Sequence, residues 1–232
     1  MPRYRLRFRL AFLLLVLVFV PAFGAHAQDL APPFDLPMQG DPGPSNWFVT
    51  QLYGNTVSAA RNADDLYAAG QGIHFGVDFA AACGTPVVAI GEGTIFANDG
   101  PYGSPPHNLV IQHPNGYFSL YGHLEVRSSL QVGQPVQRGD VVGQVGDPAS
   151  SICDRAPHLH LEIRTDDMRE AVNPVPLIDA DWRRLTAGAS ITGGGFAVDL
   201  ENASQWQRID DQPEIRFRGP RLNDYDYPWL VR

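Results

Sequence analysis

Two short histidine-containing motifs carry the residue types of a hydrolytic metal site. His74 and Asp78 lie in the segment His74-Phe-Gly-Val-Asp78, and His158 and His160 follow much later in the chain. Together the motifs supply two imidazoles and a carboxylate as ligands, and they leave one imidazole for proton transfer. A catalytic zinc site has three protein ligands and an open fourth position. The pair of motifs therefore predicts zinc-dependent hydrolysis.

Both motifs alternate with apolar residues. Apolar side chains occupy every second position of residues 73–79 and again of residues 159–163. A period of two predicts a strand with one face in the core. His74 and Asp78 then share the polar face of one strand, and His158, His160 and Glu162 share the polar face of another. We expect the two faces to line one groove and to converge on one metal ion. Two surface strands that carry histidines by chance are the alternative.

The first 27 residues are predicted to be a secretory signal peptide. Four arginines precede the apolar run Leu10–Val20, and Ala25-His-Ala27 fits the small-residue cleavage pattern. The apolar run is too short for a stable membrane span, although an uncleaved anchor is the alternative. We therefore expect an exported chain that begins at Gln28 and acts outside the cell, in the periplasm or at the cell wall.

The chain that remains after cleavage is acidic. All 17 basic residues are arginines, and four of them lie in the signal peptide, whereas none of the 25 acidic residues does. The net charge after cleavage is 13 minus 25, or −12. An acidic surface disfavours binding to nucleic acid and to anionic membranes. A wall polymer would have to be held by contacts in a groove rather than by overall charge.

Cys83 and Cys153 are the two cysteines of the chain. Thiols oxidise in exported proteins. Cys83 follows Asp78 by five residues and Cys153 precedes His158 by five, so a disulfide would join the two halves of the site if the strands are antiparallel neighbours. The alternative is a cysteine thiolate bound to zinc, although three ligands are available without sulfur.

The predicted fold class is all-β with one main core. Short apolar strands separated by glycine-containing turns fill residues 47–180, and Asn115-Gly116 is a hairpin signal within them. Residues 28–46 are a proline-rich lead-in. Residues 181–232 are a C-terminal extension, expected as strands packed on the main domain, in which residues 214–218 alternate like an edge strand.

The order of the motifs resembles one known family. His74-x-x-x-Asp78, Tyr121-Gly-His123 and His158-x-His160 follow one another, with Gly-Thr-Pro-Val and Gly-Gln-Pro-Val segments between them. This combination resembles the lysostaphin-type (LytM-like) zinc metallopeptidases over roughly half of the chain. The resemblance implies antiparallel sheets that form an open groove, known as the duplicated hybrid motif or barrel-sandwich hybrid. It also implies cleavage of peptide bonds in the cross-links or stem peptides of bacterial peptidoglycan.

The resemblance also implies a role for each histidine of the motifs. One Zn²⁺ would be bound by His74, Asp78 and His160, and His123 and His158 would be catalytic imidazoles beside it. The chain has no HExxH motif to supply a glutamate base. An imidazole can take the proton instead, because its unperturbed pKa is about 6.5.

Four further residues have weaker signals. Glu162 shares the face of the ligands and is expected either to orient one of them or to be a plain surface carboxylate. Tyr67 precedes His74, in a region where relatives often have a tyrosine that assists the transition state. His113 precedes a hairpin turn and is expected to be structural, and His107, among prolines, is expected in a loop.

Three functions follow from these features. The first is an exported zinc endopeptidase that hydrolyses peptidoglycan. The second is a non-catalytic wall-binding or regulatory module of the same fold, and the third is an exported peptidase with a protein substrate. The five polar site residues argue against the second, because a binding module does not need them. The approach to His158, residues 146–157, departs from the Gly-, Thr- and Ser-rich loop of relatives, so the chemistry carries over better than the substrate specificity.

Overall fold

The computed structural model describes residues 31–165, 167–186, 209–210 and 212–222. Within this part of the chain the main element is an antiparallel sheet. The predicted all-β class is confirmed. The strands are β1 Trp47–Gln51, β2 Val77–Ala81, β3 Pro86–Val88, β4 Gly93–Asn98, β5 His107–Gln112, β6 Phe118–Leu124, β7 Pro135–Val136, β8 Val141–Gln144, β9 His158–Thr165, β10 Glu170–Val172 and β11 Ile215–Arg216. Helices α1 (Val57–Arg61) and α2 (Trp182–Thr186) and 3₁₀ turns at Ala68–Gly70 and Val175–Leu177 are short.

The larger sheet has the order β1-β2-β9-β6-β5-β4-β7. β9 lies at its centre, with β6 along one edge, and β2 and then β10 along the other. β11 extends the sheet beyond β10, and β3 and β8 form a separate pair. None of the helices described is long and apolar enough to cross a bilayer. The central position of β9 means that its side chains are placed by neighbours on both edges.

The alternation of β9 separates the core from the polar face. Leu159, Leu161 and Ile163 are fully buried in the main hydrophobic core. The intervening residues point to the opposite face, because successive side chains of a strand alternate. The hairpin predicted at Asn115-Gly116 is present, with Gly116 at φ +88° between β5 and β6. Glycine adopts this left-handed conformation without the steric cost of a Cβ.

The strand predicted around His74 begins later than the alternation indicates. β2 starts at Val77, and His74 lies before it in a bridge with Gly54. Gly76 explains the change, because a Cβ there would lie 2.6 Å from the His160 ring. Phe75 is half-buried and packs against the main core, as its assignment to the core face predicted, and its ring also contacts the His160 ring. The expectation of a continuous strand from residue 73 was therefore wrong.

Both termini extend beyond what the structure describes. The predicted signal peptide and much of the segment 181–232 lie outside the described residues. The proposed domain boundaries stay predictions, although two described parts pack on the main domain. Phe34 and Met38 of the lead-in are buried in the core, and β11 pairs with β10 through Ala171 and Ile215.

A disulfide joins Cys83 and Cys153 across 70 residues of sequence. It connects the end of β2 to the loop before β9, as the antiparallel pairing of these strands requires. The predicted disulfide is thus present, and the alternative of cysteine as a metal ligand is wrong.

Reduction of this disulfide is expected to lower the free energy of unfolding by up to about 4 kcal/mol, because the open chain regains loop-closure entropy. Denaturant unfolding with and without a reductant measures the difference. The Cys83→Ser/Cys153→Ser variant is the control and should unfold identically in both conditions. An equal stability of oxidised and reduced wild-type protein would contradict the expected stabilisation.

Candidate metal centre

Three side chains converge where β2 and β9 pair. Asp78 of β2 lies directly opposite His160 of β9, and His74 approaches from the loop before β2. His160 Nδ1 lies 2.8 Å from Asp78 Oδ1 and 3.2 Å from His74 Nε2. His74 Nε2 and Asp78 Oδ1 are 3.3 Å apart. All three residues are buried, and they are those that the sequence indicated as metal ligands.

The donor atoms fit a single metal ion. Two ligand atoms bound tetrahedrally at about 2.0–2.1 Å from one ion lie about 3.4 Å apart, close to the separations found here. His74 Nδ1 donates to the Leu52 carbonyl at 2.7 Å, so its Nε2 carries the free lone pair. A neutral imidazole and a carboxylate are the forms that bind a metal. The arrangement therefore suits a metal with nitrogen and oxygen ligands.

Glu162 is a buried carboxylate behind His160. Its Oε1 lies 3.4 Å from His160 Nε2, and both atoms are buried without a closer hydrogen-bond partner among the described residues. Its Oε2 accepts a 2.7 Å hydrogen bond from Arg164 Nε. Glu162 is fully buried, so the alternative that it is a surface carboxylate is wrong. A carboxylate in this position holds Nε2 as the protonated nitrogen and turns Nδ1 towards His74 and Asp78.

Charges in this cluster are strongly coupled. Burial disfavours the charge of Asp78, but His74, His158 and His160 around it hold its pKa well below the ordinary value. Burial also opposes protonation of His160, yet its hydrogen bonds to Asp78 and Glu162 raise its pKa to about 9. The metal-free centre therefore holds a proton on His160 at neutral pH.

Two more imidazoles stand beside the three ligand atoms. His123, at the end of β6, and His158, at the start of β9, are half-buried, with ring centroids 4.8 Å apart. The His123 ring lies 5.7 Å from that of His160, and His158 Nε2 lies 3.9 Å from Asp78 Oδ2. The structure thus brings together all five polar residues that the sequence predicted.

Backbone carbonyls fix the protonation of both imidazoles. Nδ1 of His123 donates to the Pro105 carbonyl, and Nδ1 of His158 donates to the Ala156 carbonyl at 2.7 Å. A carbonyl oxygen can only accept, so Nε2 of each ring is left with a lone pair. Burial, and then the neighbouring His160 and His158 imidazoles, lower the pKa of His123 to about 4. His123 is therefore neutral at neutral pH.

Tyr67 packs against His74. The two ring centroids are 5.5 Å apart, edge to face, and the hydroxyl donates to Gln51 Oε1 at 3.0 Å. Burial and the nearby Asp78 charge raise the pKa of Tyr67 to about 12. The hydroxyl is therefore a neutral hydrogen-bond donor at the edge of the centre.

The loop of residues 146–157, which departs from the pattern of relatives, is held by Asp147. Its carboxylate accepts hydrogen bonds from the backbone N–H groups of Ala149, Arg155 and Ala156. A cavity of about 450 Å³ separates this loop from Pro105 and Pro106. The carbonyls of Pro105 and Ala156 accept hydrogen bonds from His123 and His158. Pro105 lines this cavity, and Ala156 belongs to the loop on its other side.

The other two histidines in the described part of the chain, His107 and His113, lie apart from the metal centre. His113 is buried and contacts the Glu92 carbonyl and the Ser119 hydroxyl, in agreement with a structural role. His107 was expected in a loop but is the first residue of β5, where it pairs with Asp99 at 3.0 Å.

Sequence reasoning missed two contributors. Arg164 continues the alternation of residues 158, 160 and 162, so extending the pattern by one step would have placed it on the polar face. Phe75 was assigned to the core, against which it packs, but its contact with His160 was not predicted. Its ring centroid lies 5.4 Å from that of His160.

Comparisons with known proteins agree with this site. The DD-carboxypeptidase/endopeptidase Mpg of Neisseria meningitidis serogroup B is 40% identical over 105 residues, which cover 44% of this chain and 22% of that protein. The peptidoglycan DD-endopeptidase ShyA of Vibrio cholerae is 37% identical over 91 residues, 39% of this chain and 20% of that protein. The chain thus spans about a fifth of the length of these relatives.

A solved structure is also similar. The catalytic domain of lysostaphin from Staphylococcus simulans aligns with 56% of this chain and 90% of its own length, at 27% identity and a TM-score of 0.44. The family described as peptidase family M23 matches residues 72–174, the segment that contains all five polar residues of the centre. Residues 72–174 of this chain, somewhat less than half of it, are therefore similar to peptidase family M23.

Proposed function

We propose that this chain is an exported zinc metalloendopeptidase that hydrolyses peptide bonds in bacterial peptidoglycan. The observation that carries the proposal is the convergence of His74, Asp78 and His160 on one point, with His123 and His158 beside it. The M23 match and relatives named as peptidoglycan endopeptidases support the same reaction and substrate class. The predicted signal peptide supports export.

The two free imidazoles supply the proton transfers. When bound, zinc lowers the pKa of its water towards about 7 and polarises the scissile carbonyl. The Nε2 lone pair of His123 or His158 accepts the proton of the attacking water, because Nδ1 of each is already committed to a carbonyl. The imidazole that has taken this proton can pass it to the leaving amine, and a protonated second imidazole could donate to the developing oxyanion. The Tyr67 hydroxyl could do the same by exchanging its hydrogen bond to Gln51. The geometry does not divide the roles of His123 and His158.

Digestion of purified peptidoglycan by the mature chain tests the proposal. New peptide termini, read by mass spectrometry, are expected with zinc-loaded protein and not after chelation. Co-sedimentation with the wall without cleavage would instead identify a non-catalytic binding module. Chelator-sensitive cleavage of unfolded proteins, with every wall type left intact, would identify a peptidase with a protein substrate.

Zinc uptake by the metal-free protein is expected to release about one proton from His160 at pH 7.5, in addition to the proton lost by the water that zinc acidifies. His160 has its pKa raised to about 9 in the metal-free centre, so its Nδ1 must lose a proton before it can bind metal. Proton release should fall as the pH rises through about 9, because His160 is then already neutral. Titration calorimetry in buffers of different ionisation enthalpy measures the number of protons.

The Glu162→Gln variant is the matched comparison for this titration. The variant removes one of the two charges that raise the pKa of His160, so fewer protons should be released at pH 8–9. Equal proton release by the wild type and Glu162→Gln at pH 8–9 would contradict the assignment of His160 as the protonated ligand.

A further inference from the structure

Residues 212–222 of the C-terminal extension, here called the C-terminal clamp, fold back onto the metal centre. They lie outside the matched segment 72–174. Their strand β11 pairs with β10, and Phe217 N donates to the Arg169 carbonyl at 3.0 Å. The clamp thereby reaches the part of β9 that follows His160.

One side of the clamp supports His160. The Phe217 ring lies against the Arg164 guanidinium, 4.4 Å from its carbon to the ring centroid. Arg164 in turn holds Glu162, and Glu162 faces His160 Nε2. The Phe217 ring also meets the Phe75 ring edge to face at 5.7 Å, and Phe75 meets His160 at 5.4 Å. Two separate chains of contact therefore run from Phe217 to the same ligand.

The other side of the clamp supports the loop that carries His74. The Tyr53 hydroxyl donates to the Pro213 carbonyl at 2.9 Å, and Asn55 N donates to Gln212 Oε1 at 3.0 Å. These residues flank Gly54, whose backbone exchanges hydrogen bonds of 2.8 and 3.0 Å with His74.

A glutamine between the loop and the clamp adds a second attachment. Gln71 Oε1 accepts from Arg216 N at 3.0 Å, and the Gln71 carbonyl accepts from Leu222 N at 2.9 Å. Gln71 is buried and lies three residues before His74. The clamp therefore joins the supports of two ligands that approach the centre from different strands.

We infer that the C-terminal clamp is a positioning element of the metal centre, and that Phe217 is a positioning residue that sets the affinity for the metal. The inference rests on the proposed metal site but not on the proposed substrate. The Glu162–Arg164 pair is almost entirely buried, and the aromatic face of Phe217 closes one side of it. An aromatic face attracts a guanidinium, and a dry environment strengthens the ionic hydrogen bond that fixes Glu162.

Removal of the Phe217 ring is expected to weaken the hydrogen bond between Arg164 and Glu162. Water would then compete with Glu162 for the Arg164 guanidinium, and Glu162 would hold the His160 ring less firmly. Partners of this kind typically change metal affinity by about 10–100-fold. Phe217 acts one step further from the metal, so a reduction of about tenfold is expected for its loss.

Zinc affinity of full-length Phe217 variants tests the inference. Competition against a chelator of known affinity gives the dissociation constant, and thermal unfolding of the metal-free protein gives the stability without zinc. We expect Phe217→Leu to weaken zinc binding about tenfold, whereas Phe217→Tyr, which keeps the aromatic face, should stay within about twofold of wild type. Ile178→Val is the control for general core loss, because Ile178 is a buried core residue that bridges to Phe34, and it should lower thermal stability without changing zinc affinity.

Two results would overturn the inference. One is wild-type zinc affinity in Phe217→Leu, and the other is an equal loss in the Leu and Tyr variants, which would show that Phe217 only fills space. If Phe217→Leu does not fold, Arg164→Lys serves instead. It keeps the charge but loses the Nε–H group that donates to Glu162, and an unchanged zinc affinity in this variant would also overturn the inference. A wild-type protein that binds zinc but leaves peptidoglycan intact would refute the proposed substrate and leave the clamp in place.

Discussion

The His160→Ala variant is expected to lose zinc binding and hydrolysis together. His160 is one of the three proposed ligands, and it lies opposite Asp78 at the centre of the sheet. Zinc affinity should fall by more than the about 100-fold upper range seen when only an outer partner is removed. Because the metal supplies several kcal/mol of transition-state stabilisation, kcat/KM should fall by at least about 10³-fold. Zinc content by mass spectrometry under native conditions and cleavage of peptidoglycan measure the two losses.

A distant histidine provides the control for this variant. His107→Gln changes a partly exposed histidine that pairs with Asp99, and both zinc content and cleavage should remain at the wild-type level. If His160→Ala kept full zinc occupancy, the ligand assignment would have to be abandoned.

The His158→Gln variant is expected to keep its zinc and to lose most of its turnover. His158 is held through Nδ1 by the Ala156 carbonyl, and its nearest contact with a ligand is the 3.9 Å approach of Nε2 to Asp78. It is therefore not needed to bind the metal. Loss of a positioned general acid or base typically costs about 10²–10⁴-fold in rate. The measurements are kcat on a defined peptide and the zinc dissociation constant of the same preparation.

His123→Gln is the companion variant for the division of roles. It removes the second imidazole, whose ring lies 4.8 Å from that of His158. Each single variant should lower kcat, and the double variant should fall by less than the product of the two effects, because the imidazoles act in one proton-transfer sequence. A His158→Gln protein with wild-type kcat would remove His158 from the mechanism.

Local patterns predicted the parts of the site that lie on regular strands. The alternation of β9 fixed which side of the strand His158, His160 and Glu162 occupy, because a strand has a strict period of two. The same reasoning failed before β2, where the chain leaves the sheet to bring His74 inwards. Gly76 marks this point, but a glycine in the sequence does not reveal that the His160 ring fills the space above it.

Local sequence patterns do not predict most contacts between residues that are far apart in the chain. The disulfide could be predicted because both cysteines are close to site residues on strands that were expected to pair. Phe217 is not close in the sequence to any predicted site residue, so its contact with Arg164 could not be predicted in this way. The role of His123 likewise came from the family resemblance. Its φ of +58° and its bond to the Pro105 carbonyl have no local signature in the sequence.

The disulfide between Cys83 and Cys153 has a consequence for a molecule that a protease has cut. The 70 residues that it spans contain β3 to β8 and the exposed segment around Val126 and Val132. Such exposed segments are the usual places where proteases cut a folded chain. A single cut there leaves both fragments joined through the cystine, with His74 and Asp78 on one and His158 and His160 on the other. A nicked molecule can therefore keep the proposed metal ligands together.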